Sequence, residues 1–224
     1  MPDAAGQTLP SSLRDAVRRD LRPVRPLRRP AIRALWLSPW AIALLIASEA
    51  VFGLRRDAPS LGLALTWGAS VLEMALGLLL IAAALREAVP GTTLTRRIVG
   101  LAGATALLAV VSITWVTWTL SPTRINPRAV LLVWRICFGA TLLTALPPLA
   151  ITGWLVARAF PLRPAVAGAL YGLGSGLLAD AGWRLFCHYS DPRHVFSAHA
   201  AGVAAACALG IVTAVHLARS KAQG

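Results

Sequence analysis

Acidic residues are scarce in this chain: nine Asp and Glu among 224 residues, against 22 Lys and Arg, of which Lys221 is the only lysine. Charged residues make up 14% of the total, where a soluble domain carries about 25%. So little charge cannot cover the surface of a single soluble core, which excludes that class. Three cysteines, Cys137, Cys187 and Cys207, are too few for a disulfide scaffold. No P-loop, nucleophile elbow, glycine-rich dinucleotide motif, CxxC or HExxH occurs, and the acid/base candidates are scattered. The sequence therefore points away from an enzyme. Haem would want paired histidines at matched depth on facing helices. His199 and His216 instead fall at opposite ends of one apolar run.

What the chain has in abundance is apolar length. Hydrophobic residues reach 57%, with a mean hydropathy of +0.66, against roughly 45–50% apolar residues in soluble domains. Apolar runs lie near 34–53, 62–85, 98–120, 133–157, 165–186 and 195–217. Each approaches or exceeds the ~20 residues that cross a ~30 Å hydrocarbon core. Turn and charge signals separate them: Leu54 to Pro59, Val89-Pro90-Gly91, Ser121-Pro122, Phe160-Pro161 and Ser190-Asp191-Pro192. The expected fold is an all-α membrane protein, a bundle of six transmembrane helices with a short cytoplasmic N-terminal arm. The arm spans residues 1–33, the transmembrane domain 34–217 and a cytoplasmic tail 218–224. The charged leader and the length of the first run argue for an uncleaved anchor rather than a signal peptide.

The net charge of +13 is topological. With the N-terminus inside, the cytoplasmic side holds eight Arg before residue 34, then Arg86, Arg96, Arg97, Arg158, Arg163, Arg219 and Lys221, fifteen in all. The outer side holds the other seven: Arg55, Arg56, Arg124, Arg128, Arg135, Arg184 and Arg193. That bias follows the positive-inside rule, and six spans return the C-terminus to the cytoplasm. No basic face with interleaved aromatics appears, so direct nucleic-acid binding is not expected.

Within the arm, Leu13, Val17, Leu21 and Val24 recur at helical spacing among arginines that include Arg18 and Arg22. Ser11 or Ser12 is a candidate cap, and Pro23, Pro26 and Pro30 end the helix. Such a stripe suits either a topogenic leader touching anionic lipid or a helical bait for a cytoplasmic partner. The spacing alone leaves both open.

Cys137 falls just inside the outer face, where Arg135 would snorkel to the interface. Cys187 follows the fifth run at the same face and precedes His188 and His194, with His199 about a turn into the sixth run. Two thiols and three imidazoles gathered there suit a soft or borderline metal ion such as zinc, copper or cadmium. The same thiols could form a disulfide in an oxidising compartment, or stand as bystanders. Cys207, mid-span, reads as a small buried apolar residue.

Three polar residues inside the spans need partners. Glu73 must be protonated, paired or facing a cavity, and Asp180 and Arg184, four apart, can neutralise each other. Gly168, Gly172 and Gly176 form a repeated GxxxG face for close helix packing. Pro147-Pro148 should kink the fourth helix below Cys137.

These features together resemble the NrsF-type anti-sigma factors. The leader carries Asp20-Leu21-Arg22-Pro23-Val24-Arg25-Pro26-Leu27 on to Pro30 and Arg33. The fourth run has Cys137 and Leu146-Pro147-Pro148. The fifth has Leu162-Arg163-Pro164-Ala165 and Ala167-Gly168-Ala169-Leu170. The last part has Cys187, Asp191-Pro192-Arg193-His194-Val195 and His199, though Ala198 stands where the family often has an aromatic. The resemblance implies a six-span bacterial inner-membrane protein, not an enzyme, whose arm holds an extracytoplasmic-function (ECF) sigma factor. It also implies that Cys137 and Cys187 take part in sensing metal or oxidative stress. A small metal or solute transporter using Glu73 and Asp180, or a structural subunit docking through the GxxxG face, are the rival readings. A homo-oligomer is left open.

Overall fold

The computed structural model describes residues 10–20 and 28–222, and no strand occurs among them. Helix α1 spans Ser11–Asp20. The body begins with α2 (Pro30–Leu35) and α3 (Ser38–Phe52). Next come α4 (Ala58–Leu63), a π-helical stretch (Ala64–Gly68) and α5 (Ala69–Glu87). Helices α6 (Arg96–Leu120), α7 (Val130–Ala157) and α8 (Pro164–Phe186) follow. The chain ends with α9 (Pro192–His194), a second π-helical stretch (Val195–Ala200) and α10 (Ala201–Ala222).

The prolines that punctuate the sequence open the helices that follow them. Pro30, Pro164 and Pro192 each sit in a first turn, where the missing N–H would have had no partner in any case. Thr95 caps α6 by accepting from the Ile98 N–H at 3.3 Å. Pro147 and Pro148 lie inside α7, which runs through both.

Among the described residues, five helical stretches are long and apolar enough to cross a membrane: Pro30–Phe52, Ala58–Glu87, Arg96–Leu120, Pro127–Ala157 and Pro192–Ser220. The sequence led us to expect six. The remaining run, α8, has 23 residues but is diluted by glycines, Asp180 and Arg184. It tolerates them because it is central, packing against α10, α5, α7 and α3, so much of its surface never meets lipid. Its small residues set the spacing. A Cβ on Gly168 would lie 2.5 Å from the Gly210 carbonyl oxygen, and one on Gly172 2.6 Å from that of Ala206. The GxxxG face is thus occupied within the chain, by α10.

Contacts between connections sort them into two ends. At one end, the Arg55 N–H donates to the Leu185 carbonyl at 2.8 Å and Arg55 Nη1 to that of Arg184 at 3.4 Å, satisfying the last carbonyls of α8. Thr123 and Ser190 join the 121–126 connection to the 187–191 connection there. At the other end, Arg163 Nε and Nη2 donate to Glu87 at 2.6 and 2.7 Å, and Glu87 also accepts from the Leu94 N–H at 2.7 Å. The Glu87 bond holds the Arg163 pKa above its usual value. Arg33, grouped with the arm by its charge, lies in α2, buried, and its Nη2 donates to the Leu155 carbonyl at 2.8 Å.

The described part of the arm's stripe lies on α1. Leu13, Val17 and Arg18 lie on α1, and no residue of that helix is buried. Leu21, Arg22 and Val24 fall outside the described residues.

Candidate functional site

Four of the five expected thiol and imidazole residues come together. The donor atoms of Cys137, Cys187, His194 and His199 all lie within 4.8 Å of one another, and all four side chains are buried. The two Sγ atoms are 3.9 Å apart and both cysteines are free. Cys187 Sγ lies 3.5 Å from His194 Nε2. The fifth, His188, stands outside the group and packs against Tyr189 with ring centroids 4.2 Å apart. Cys207 is half-buried, its thiol 3.5 Å from the Ala169 carbonyl, remote from the cluster in sequence and in contacts.

Three elements carry the cluster, and short-range chemistry fixes each. Cys137 comes from the N-terminal part of α7. Cys187 ends α8, its N–H donating to the Trp183 carbonyl at 2.8 Å. Asp191 then caps α9 by accepting from the Arg193 N–H at 2.9 Å, and His194 closes that turn. The π-helical stretch turns His199 inward; such stretches recur at functional sites. Thr123 Oγ1 donates to the His188 carbonyl and accepts from the Ser190 N–H, while Ser190 Oγ donates to the Ser121 carbonyl. Trp134 Nε1 of α7 donates to the Ser197 carbonyl at 2.8 Å. The loop is therefore clamped on both sides of His194.

Behind the cluster runs a buried chain of charge. His199 Nδ1 contacts Asp180 Oδ1 at 2.6 Å, and Arg184 Nη2 donates to Asp180 Oδ2 at 3.2 Å. Arg184 Nε donates to Glu73 Oε2 at 2.8 Å. All four side chains are 7% exposed or less. Glu73 is thus paired rather than facing a cavity, and the Asp180–Arg184 pair anticipated from spacing is the middle of a longer chain.

The Cys187 thiol is held well below its ordinary range, first by the hydrogen bond with Cys137, then by His199 and His194, against the opposing effect of burial. Burial lowers the pKa of His188, with Arg56 and Arg55 adding to it against Cys187 and Asp57.

Sequence reasoning missed the Glu87–Arg163–Leu94 clamp, the Arg55 cap and the Thr123–Ser190 lock. Glu87 had a signal: it ends an apolar run on the same expected side as Arg163. Thr123 and Ser190 had none, because nothing in their spacing sets two connections side by side.

Fold and site together define a class: among the described residues, a helical bundle with five stretches of membrane-crossing length around a buried thiol–imidazole cluster. The particular family follows from comparison. A family model described as NrsF, negative regulator of sigma F, matches residues 18–219, and the chain belongs to that family. This is a family of sigma-factor regulators, not of enzymes. No curated protein and no solved structure matches the chain.

Proposed function

We propose that this protein is a membrane-bound anti-sigma factor that holds an ECF sigma factor at the bacterial inner membrane and releases it when the outer-face cluster is modified. Family membership over residues 18–219 carries the reading. The body crosses the membrane six times, α8 included, with both termini cytoplasmic. The alternation of connections between two ends and the fifteen-to-seven distribution of basic residues support that topology.

The arm binds the partner. Leu13 is 49% and Val17 52% exposed on α1, one apolar edge beside Arg18, the arrangement by which an amphipathic helix enters a groove. Leu21, Arg22 and Val24 extend the same stripe in the sequence. Metal binding or oxidation at Cys137 and Cys187 changes the packing of α7 against α8 and lowers affinity for the sigma factor, a coupling between two sites.

The rival readings lose support at named residues. Glu73 is engaged with Arg184, not offered to a transport path. The GxxxG face packs on α10, not on another subunit.

The test is a detergent pull-down of the full chain beside a version lacking residues 2–30, with bound proteins identified by mass spectrometry. A sigma factor retained only by the intact arm supports the reading; capture that ignores the arm overturns it. Replacing Cys137 and Cys187 with Ser should leave repression intact and abolish induction. A double variant that still responds to metals and oxidants removes the sensor half.

A further inference from the structure

We propose that Cys137, Cys187, His194 and His199 form one four-coordinate site for a borderline divalent cation of the zinc or cadmium kind, with Asp180 as the positioning residue for His199. The inference rests on the sensor reading and deepens it by naming the ligand class and the complete donor set.

The distances match the edges of a coordination tetrahedron. Zinc bonds of about 2.3 Å to sulfur and about 2.0–2.1 Å to nitrogen place two sulfurs ~3.8 Å apart and a sulfur and a nitrogen ~3.6 Å apart. The sulfurs of Cys137 and Cys187 are 3.9 Å apart, and Cys187 Sγ is 3.5 Å from His194 Nε2. A disulfide would instead need the sulfurs at about 2.05 Å.

His199 supplies an independent observation. Its Nδ1 faces the Asp180 carboxylate at 2.6 Å. A carboxylate only accepts, so Nδ1 carries a proton, and in the neutral imidazole Nε2 presents a lone pair. That Nε2 is fully buried and has no hydrogen-bond partner, and a ring nitrogen of His199 lies within 4.8 Å of the donor atoms of the other three residues. A buried acceptor left unmatched is costly, and a cation at the centre of the cluster satisfies it. Carboxylate–histidine–metal is the arrangement that orients an imidazole and raises its basicity as a ligand.

Two sulfurs and two imidazole nitrogens select the ion. Magnesium and calcium want oxygen ligands, which the cluster lacks, whereas zinc and cadmium accept sulfur and nitrogen together. Two thiolates balance a divalent charge in a place where uncompensated charge is expensive. Four protein donors leave no open position, so the site holds elements together rather than activating water. It ties α7, the end of α8 and the loop into α10 at one point, and His188, stacked on Tyr189, is not among the ligands.

The experiment uses the full-length protein, reduced and stripped of metal in detergent micelles, titrated with Co²⁺ as a spectroscopic probe and then with Zn²⁺. One Co²⁺ per chain is expected, with tetrahedral d–d absorption and a sulfur-to-cobalt charge-transfer band, both displaced by Zn²⁺. H188A should bind as the parent does. D180N should keep the spectrum and weaken affinity about 10- to 100-fold. X-ray absorption of the zinc-loaded parent needs no variant: two sulfurs at ~2.3 Å and two nitrogens at ~2.0 Å are expected. A weak octahedral spectrum, binding that survives C137S/C187S, or a shell of oxygens overturns the site. If the parent binds no Co²⁺ yet C137S/C187S blocks induction in cells, the metal site fails and the sensor reading stands on thiol oxidation. If the site binds as expected and induction ignores it, the metal is structural and the sensor reading fails.

Discussion

Replacing Arg184 with Met tests the buried charge chain most sharply. Arg184 is the bridge: it donates to Glu73 at 2.8 and 3.3 Å and to Asp180 at 3.2 Å. Removing it leaves Asp180 with His199 and leaves Glu73, 1% exposed, with no ion-pair partner among the described residues. Two opposite charges about 4 Å apart attract by roughly 4 kcal/mol at an effective dielectric of ~20. Deleting one member of a buried pair costs about 3–5 kcal/mol, because the other charge stays behind unmatched. The expected loss for R184M is therefore about 3–5 kcal/mol, read as unfolding free energy in mixed micelles titrated with SDS and followed by circular dichroism. The penalty comes from the stranded carboxylate, so E73Q in the same background should recover at least half of it. A single-variant loss below ~1 kcal/mol, or a double variant no more stable than R184M alone, would refute the reasoning.

At the helix contacts, G172L should destabilise the body by at least ~1–3 kcal/mol, because its side chain must enter space where a Cβ already lies 2.6 Å from the Ala206 carbonyl. Gly100, with nothing within 4 Å of its Cβ position, should accept Ala with little change in the same unfolding assay. E87Q removes the charge and one of the two oxygens that accept from Arg163 and the Leu94 N–H, and limited proteolysis should then cut the 88–95 connection faster than in the parent. L13D with V17D should leave the unfolding midpoint unchanged, since α1 buries none of its residues. It should weaken sigma-factor capture by at least ~30-fold, the loss of one interface hot spot of about 2 kcal/mol.

The features legible in sequence were those written in local spacing. Helix limits followed apolar runs and prolines, the glycine face followed its four-residue repeat, and Asp180–Arg184 followed its i, i+4 register. The thiol–imidazole cluster was legible in part: Cys187, His194 and His199 lie close along the chain, and Cys137 joined them through its expected depth in the membrane. His188 was grouped with them by proximity alone, and ring packing on Tyr189 takes it elsewhere. Pairings that depend on how helices lie side by side were not legible. Glu73 meets Arg184 across 111 positions and Arg33 meets Leu155 across 122, and no periodicity within either segment encodes the meeting. The relatively polar α8 followed the same logic: its composition makes sense only once its central position is known.

The cluster and the seat of Arg33 stand at opposite ends of one helix. Cys137 lies in the N-terminal part of α7, and Leu155, near the C-terminal end of the same helix, receives the guanidinium of Arg33 in α2. Arg33 begins the helical body a few residues after the arm. By contrast α8, which carries Cys187 and Asp180, cannot slide against α10 without opening the contacts of Gly168 and Gly172 with Gly210 and Ala206, so those two helices behave as one packed unit. A change in the distance between Cys137 and Cys187 is then accommodated by α7 moving against that unit. Between its ends α7 carries Pro147 and Pro148, which supply no N–H to the helix and leave two carbonyls of the preceding turn unbonded, a place where a helix bends at low cost. Under the proposed function, the position of α7 at Leu155, and with it the seat of Arg33, is the quantity that a modified cluster would alter and that the base of the arm would meet first.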